Sequence, residues 1–391
     1  MNDKPRIGRL AQLFLALLIG AAVAAGCAGA SEDATEPEEE REIFAGVNIA
    51  IADVALSEVV FDTFDGGSIT LDEATEEQVL DLLNAIPPLD EPVYIDAADA
   101  TYLRPDDLIL GYVGEDGSAW AHPHRILNFH EIVNTTVADR PVAITYCPLC
   151  ASGVVFDRRP NDLRHEGTLT FDNTSALYEN DMVMVDAETN TYWWQVAGRG
   201  LVGNLTGSEL VTLPSTTTSW QAWMATHPNT QVLSNDQGRG PRYERDPFTD
   251  YGTSVEAGRV PFPVSPDVFD DARLSPSTRI IGFEVGGRSV AVPVVGSSPS
   301  VVLVDVLDAG GVVVLLDGLG GGSVFEAPGA IPLNVTDSGF VDADEVVWDA
   351  AGRSTTGDQL TPVPSTTAFW FAWVAVTSGD TRVVGPDGEI S

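Results

Sequence analysis

The chain carries a second copy of part of itself, and this repeat limits what it can fold into more than any single motif does. Leu213-Pro214-Ser215-Thr216-Thr217-Thr218-Ser219-Trp220-Gln221-Ala222-Trp223 returns as Val363-Pro364-Ser365-Thr366-Thr367-Ala368-Phe369-Trp370-Phe371-Ala372-Trp373. Upstream, Trp194-Gln195-Val196-Ala197-Gly198-Arg199 returns as Trp348-Asp349-Ala350-Ala351-Gly352-Arg353. Leu110-Gly111-Tyr112-Val113 returns as Ile281-Gly282-Phe283-Glu284, and Pro123 as Pro293. Self-similarity at matched spacing marks a duplicated structural unit. The expectation is two tandem homologous domains, 42–238 and 273–391, joined by a linker at 239–272, with the first able to fold alone. A length of 391 residues also suits two domains.

Each copy reads as mainly β, with short helices (α+β). Strand-like segments separated by turns dominate from Val93 to Asp157 and recur at Met182–Val185 and Thr191–Gln195. Two helices announce themselves by their caps. Thr75-Glu76-Glu77-Gln78 is a capping box that opens a short helix ended by Pro87-Pro88, and Thr218-Ser219 precedes Trp220 to Ala225.

The stretch with chemistry is Ile144-Thr145-Tyr146-Cys147-Pro148-Leu149-Cys150-Ala151-Ser152-Gly153. β-forming residues flank it on both sides, so it reads as strand, four-residue turn, strand, with Pro148 supplying the fixed φ of a turn position. Two thiols so placed can share a metal at roughly 2.3 Å per sulfur, or bond to each other. In register, Cys147-Pro148-Leu149-Cys150 falls on Asp317-Gly318-Leu319-Gly320, and His130-Glu131 falls on Ser300-Val301. The second copy is degenerate: the turn persists without its thiols, so the fold does not need them and function is the better account of Cys147, Cys150 and His130.

The N-terminus reads as a lipoprotein signal peptide over 1–26. Lys4, Arg6 and Arg9 precede an apolar run, Leu13 to Ala25, and small residues lead into Cys27. Lipidation at Cys27 would anchor the chain to a membrane on its extracytoplasmic face, in the cell envelope, with 27–41 as an acidic tether. Unprotected thiols in such a compartment tend to oxidise. The formal charge is −38, from 58 acidic and 20 basic residues, which argues against nucleic acid as a partner. Any protein or small-molecule partner is left open by the sequence.

Several spaced blocks resemble the secreted prokaryotic proteins grouped as domain of unknown function 3179. They are His130-Glu131-Ile132-Val133-Asn134, Ile144 to Cys150, Ser175-Ala176-Leu177-Tyr178, Leu177 to Trp194, and Phe369 to Trp373. The resemblance covers about Val93 to the C-terminus and implies relatives without implying a reaction. Ala151 stands where that family usually has glycine.

Three readings of the cysteine pair stay open. In the first, Cys147 and Cys150 bind zinc or copper with His130 as the third ligand. In the second they form a thiol–disulfide redox module, although no helix N-terminus is evident to lower a thiol pKa. In the third they are a static disulfide in a non-catalytic surface-binding protein. Glu131 is a weaker additional candidate, because in an extended strand it would point away from the face that carries His130. His122 and His124 form an i, i+2 pair beside an expected turn, and His165 falls in a polar loop.

Overall fold

A computed structural model describes residues 43–390 apart from 84, 307–309, 328–332 and 338. The expected signal peptide over 1–26, the expected tether over 27–41 and Cys27 lie outside the described residues. Among the described residues no helix is long and apolar enough to cross a membrane.

The protein is mainly β with a few short helices, as the patterning predicts. Both capped helices form. Glu76–Leu82 starts at Thr75, whose side chain accepts the Gln78 N–H while the Gln78 side chain accepts the Thr75 N–H. Trp220–Thr226 starts at Ser219, whose hydroxyl accepts the Ala222 N–H.

Ten strands carry the argument in the first half. They are β1 (Leu108–Val113), β2 (Ala119–Pro123), β3 (Ile132–Val137), β4 (Arg140–Cys147), β5 (Ser152–Asp157), β6 (Phe171–Tyr178), β7 (Asp181–Asp186), β8 (Tyr192–Trp194), β9 (Ser215–Ser219) and β10 (Gln231–Leu233). The second half contributes β11 (Arg279–Val285), β12 (Arg288–Pro293), β13 (Ser300–Val306), β14 (Gly310–Leu316), β15 (Gly322–Ala327), β16 (Thr366–Phe369) and β17 (Arg382–Gly385).

The repeat appears as matching contacts. β9 runs antiparallel to β1 with Thr216 opposite Gly111, and β16 runs antiparallel to β11 with Thr366 opposite Gly282. The helix after each strand lays a tryptophan over that glycine. A Cβ at Gly111 would sit 2.3 Å from the Trp223 ring, and one at Gly282 would sit 2.6 Å from the Trp373 ring. Each indole N–H then reaches a threonine hydroxyl, Thr230 at 3.0 Å and Thr381 at 3.1 Å. One detail departs from the block alignment. Trp348 donates to Asp342 as Trp193, not Trp194, donates to Asp186, because the tryptophan follows the aspartate by 7 residues in the first half and by 6 in the second.

The two halves interlock through one nine-stranded sheet. Its order runs from Gly388–Ile390 through β17, β12, β11 and β16, then β5, β4 and β3, with Val211–Leu213 also on β5. The junction is β5 against β16, where Gly153 faces Thr367. The described residues form one compact unit. The stretch 239–272, expected as a linker, packs onto it and buries Tyr243, Val255, Phe262 and Val268.

A buried sulfur and carboxyl cluster beside a cavity

The cysteine turn forms as read. Cys147 pairs with Ser152, closing the four residues Pro148 to Ala151, and Ala151 adopts φ 48°. Only glycine takes that region without steric cost. The second copy's turn is one residue shorter, since Leu316 faces Gly322 where Tyr146 faces Gly153. There Asp317 fills the corner by accepting the N–H groups of Leu319 and Gly321. The second half also holds the first half's turn in place, because the Phe369 N–H donates to the Cys150 carbonyl at 2.7 Å.

Both cysteines are free thiols and buried. The third group beside them is Asp181, fully buried, and the ligand atoms of Cys147, Cys150 and Asp181 all lie within 4.8 Å of one another. Asp181 gets there by a two-residue hairpin between β6 and β7. Glu179 and Asn180 both take positive φ (51° and 58°), as the tightest hairpin turns require. The sequence Glu179-Asn180 lacks the Asn-Gly or Asp-Gly signal of such turns, so sequence reasoning missed Asp181. The available clue was an acidic residue directly before the apolar strand Met182 to Val185.

Polar partners orient the cluster. Asp181 Oδ2 accepts the Val196 N–H at 2.8 Å, and the Cys150 thiol donates to the Asn180 carbonyl at 3.3 Å. The Ser152 hydroxyl lies 2.6 Å from Gln195 Oε1 and 3.1 Å from Asp181 Oδ1. It has one proton for two acceptors. Gln195 is fixed in orientation, since its amide donates to Thr145 Oγ1 while Thr145 donates to the Val154 carbonyl. Gln195 and Asp181 therefore compete for the serine proton, and both thiols also hydrogen-bond the Asp181 carboxyl. Burial pushes Asp181 up to about 6, against the Val196 N–H, the two thiols and the Ser152 hydroxyl that stabilise its charge. Burial likewise raises the Cys147 thiol and raises Cys150 further.

His130 is not part of this cluster. Its Nδ1 lies 2.8 Å from the Pro87 carbonyl and its Nε2 lies 2.6 Å from the Tyr243 hydroxyl, so both ring nitrogens are committed. The expected assignment is corrected: His130 ties the 239–272 segment to the first half. Its neighbour Glu131 lines the cavity that Cys147 also lines. The residues before it form a helical turn, His124–Leu127, and the Glu131 N–H still bonds to the Leu127 carbonyl. Glu131 then turns through φ 58° before β3 begins, so strand alternation does not govern where it points. Its Oε2 accepts from Asn173 Nδ2 at 2.7 Å, and burial pushes its carboxyl up to about 8, with the Asp181 charge adding to the rise. Asn173 is aimed by an irregularity in β6 between Asn173 and Ala176, at which Ser175 also takes positive φ.

Cys147, Glu131 and Asn173 share a cavity of about 490 Å³ whose remaining wall is largely apolar, while Cys150 lies behind it. The other histidines are elsewhere. His122 bonds to Tyr94 and to the Leu110 carbonyl, and His124 stacks on Tyr146 with centroids 4.1 Å apart. A second cavity of about 640 Å³ lies between the halves, lined by Trp223, His227 and Arg353 among others, and reaches none of the cluster.

No curated relative and no solved structure matches the chain. The model of the family described as "Protein of unknown function (DUF3179)" matches residues 83–379, about three-quarters of the chain. The chain belongs to the DUF3179 family.

Proposed function

We propose that the protein binds a transition metal, zinc in preference to copper, through Cys147, Cys150 and Asp181. The observation that carries this reading is the convergence of two thiols and a carboxyl, all buried, within 4.8 Å. Two sulfurs and one oxygen make a mixed donor set that suits zinc, whereas copper(I) favours sulfur alone. Burial disfavours three anions at this place, and a divalent cation reverses that by drawing the protons off its ligands. Val196, Ser152 and Gln195 supply the outer contacts that orient the carboxyl. Three protein ligands beside a cavity leave a fourth position for water or a substrate, as catalytic zinc sites do.

The test is elemental analysis with a free-thiol count on protein purified without an affinity metal column. Stoichiometric zinc is expected, with both thiols blocked until chelator is added. Asp181→Asn and Cys150→Ser should each lose metal, while His130→Ala should keep it. Metal-free protein in every preparation would reject the reading.

One feature favours thiol–disulfide chemistry instead. Cys147 lines the cavity, Cys150 does not, and a buried carboxyl adjoins both, which resembles an attacking thiol, a resolving thiol and a proton acceptor. Metal-free protein with a disulfide that mild reductant opens reversibly would select it. The N-terminal pattern supports a lipid anchor at Cys27 and a place on the extracytoplasmic face of a membrane. Comparing Cys27→Ser with the parent by membrane fractionation and intact mass tests this, and equal release of both without lipid mass would reject it.

A further inference from the structure

The cavity over Cys147 has features that the cluster alone does not require. Its volume, about 490 Å³, falls within the roughly 300–1,000 Å³ of small-molecule sites. Phe64, Phe248 and Phe262 reach it from three separate segments, joined by Leu149 and Leu177. Phe64 is 53% exposed and holds φ 57°, so a bulky residue keeps an unfavourable backbone to present an aromatic ring at the cavity's edge. At the floor, Glu131 is 7% exposed. Asn173 occupies its Oε2, while its Oε1 takes no hydrogen bond from the described residues. Both ends of Asn173 are themselves used, Nδ2 on Glu131 and Oδ1 on the Ser175 N–H, so it can only hold Glu131 in place. No lysine, arginine or histidine lines the cavity.

We propose that this cavity is the binding pocket for a small, non-anionic, mainly apolar molecule, aromatic at one end, whose polar group hydrogen-bonds Glu131 Oε1 next to Cys147, in a wall whose other carboxylate is Asp62. The aromatic end packs among Phe64, Phe248 and Phe262, and the polar group meets the Glu131 oxygen that no described residue holds. An anion is excluded because it would be desolvated beside Glu131 with no cationic partner in the wall. The pocket stands on its own geometry. Its link to a reaction rests on the metal reading above, since a ligand so placed would lie beside the open side of the metal.

The test uses Cys147 as the reporter in the full chain, reduced and freed of metal by chelator. Alkylation rates at Cys147 and Cys150 are followed by peptide mass mapping and divided by the rates of a free small thiol. N-phenylmaleimide should outpace N-ethylmaleimide by on the order of tenfold at Cys147, because ring area moves from water to an apolar wall. Iodoacetate should lag iodoacetamide by a similar factor of about ten, and Cys150 should stay unmodified. Phe64→Ala, at an exposed position that does not threaten folding, should reduce the phenyl preference and leave the ethyl rate intact. A phenyl-to-ethyl ratio equal to that of the free thiol would overturn the proposal. So would equal reaction at both cysteines, which would mean that reagents enter only by unfolding. Zinc content of the untreated sample separates the two ideas. Phenyl preference without zinc keeps the pocket and rejects the metal, and zinc without phenyl preference does the reverse.

Discussion

Replacing Glu131 by glutamine keeps the side chain's shape and removes its acid, so the pH dependence of stability tests the environment assigned to it. The folded protein holds this carboxyl at about 8, against 4.5 for the free group. Between those values the native state keeps a proton that the unfolded chain has lost. Each pH unit in the window therefore lowers the unfolding free energy by about 1.4 kcal/mol. The contribution is fully present below pH 4.5, declines as pH rises, and is flat above about 8. Asp181, raised from 3.8 to about 6, adds the same slope only below about 6. Buried His122 and His124, lowered from 6.5, give the opposite slope below 6.5, equally in both proteins. The interval from pH 6 to pH 8 thus isolates Glu131 in the difference between the two. Across it the metal-free parent should lose about 2 kcal/mol more than Glu131→Gln, because the slope halves as pH nears 8. Urea unfolding at the two pH values, with chelator and reductant present and equal m-values checked, measures this directly. Parallel losses in parent and variant would refute the reasoning, because Glu131 would then be an ordinary hydrated carboxylate.

Three further outcomes follow from the packing. The first half alone, 42–238, should lose zinc and near-ultraviolet circular dichroism, since Phe369 no longer bonds to Cys150 and Phe371 and Ala372 leave the core that contains both cysteines; a folded, metal-retaining fragment would show that the copies are independent. Gly111→Ala and Gly282→Ala should each cost about 1–3 kcal/mol in urea unfolding, because a Cβ would overlap the Trp223 or Trp373 ring, and equal costs would show that the two copies use the contact alike. Ala151→Gly should raise stability by up to about 1 kcal/mol by relieving the positive φ at the cysteine turn, and a loss of stability would mean the turn is unstrained as it stands.

What the sequence determined by itself was local or repeated. The cysteine turn, the two helix caps and the matched blocks are set by residues within a few positions of one another, where backbone preference and short-range hydrogen bonds decide the outcome. The matching turn in the second half is closed by Asp317 without thiols. Tertiary structure alone decided which groups meet Cys147 and Cys150. Asp181 arrives through a hairpin register, and Asn173 is aimed by an irregularity in a strand. Glu131 rather than His130 faces the cavity because a single left-handed residue interrupts the alternation that a strand would impose. These placements follow from how strands pair across long separations in the chain. A one-residue change in register or backbone turn exchanges the face a side chain occupies, and no pattern read along the chain contains that information.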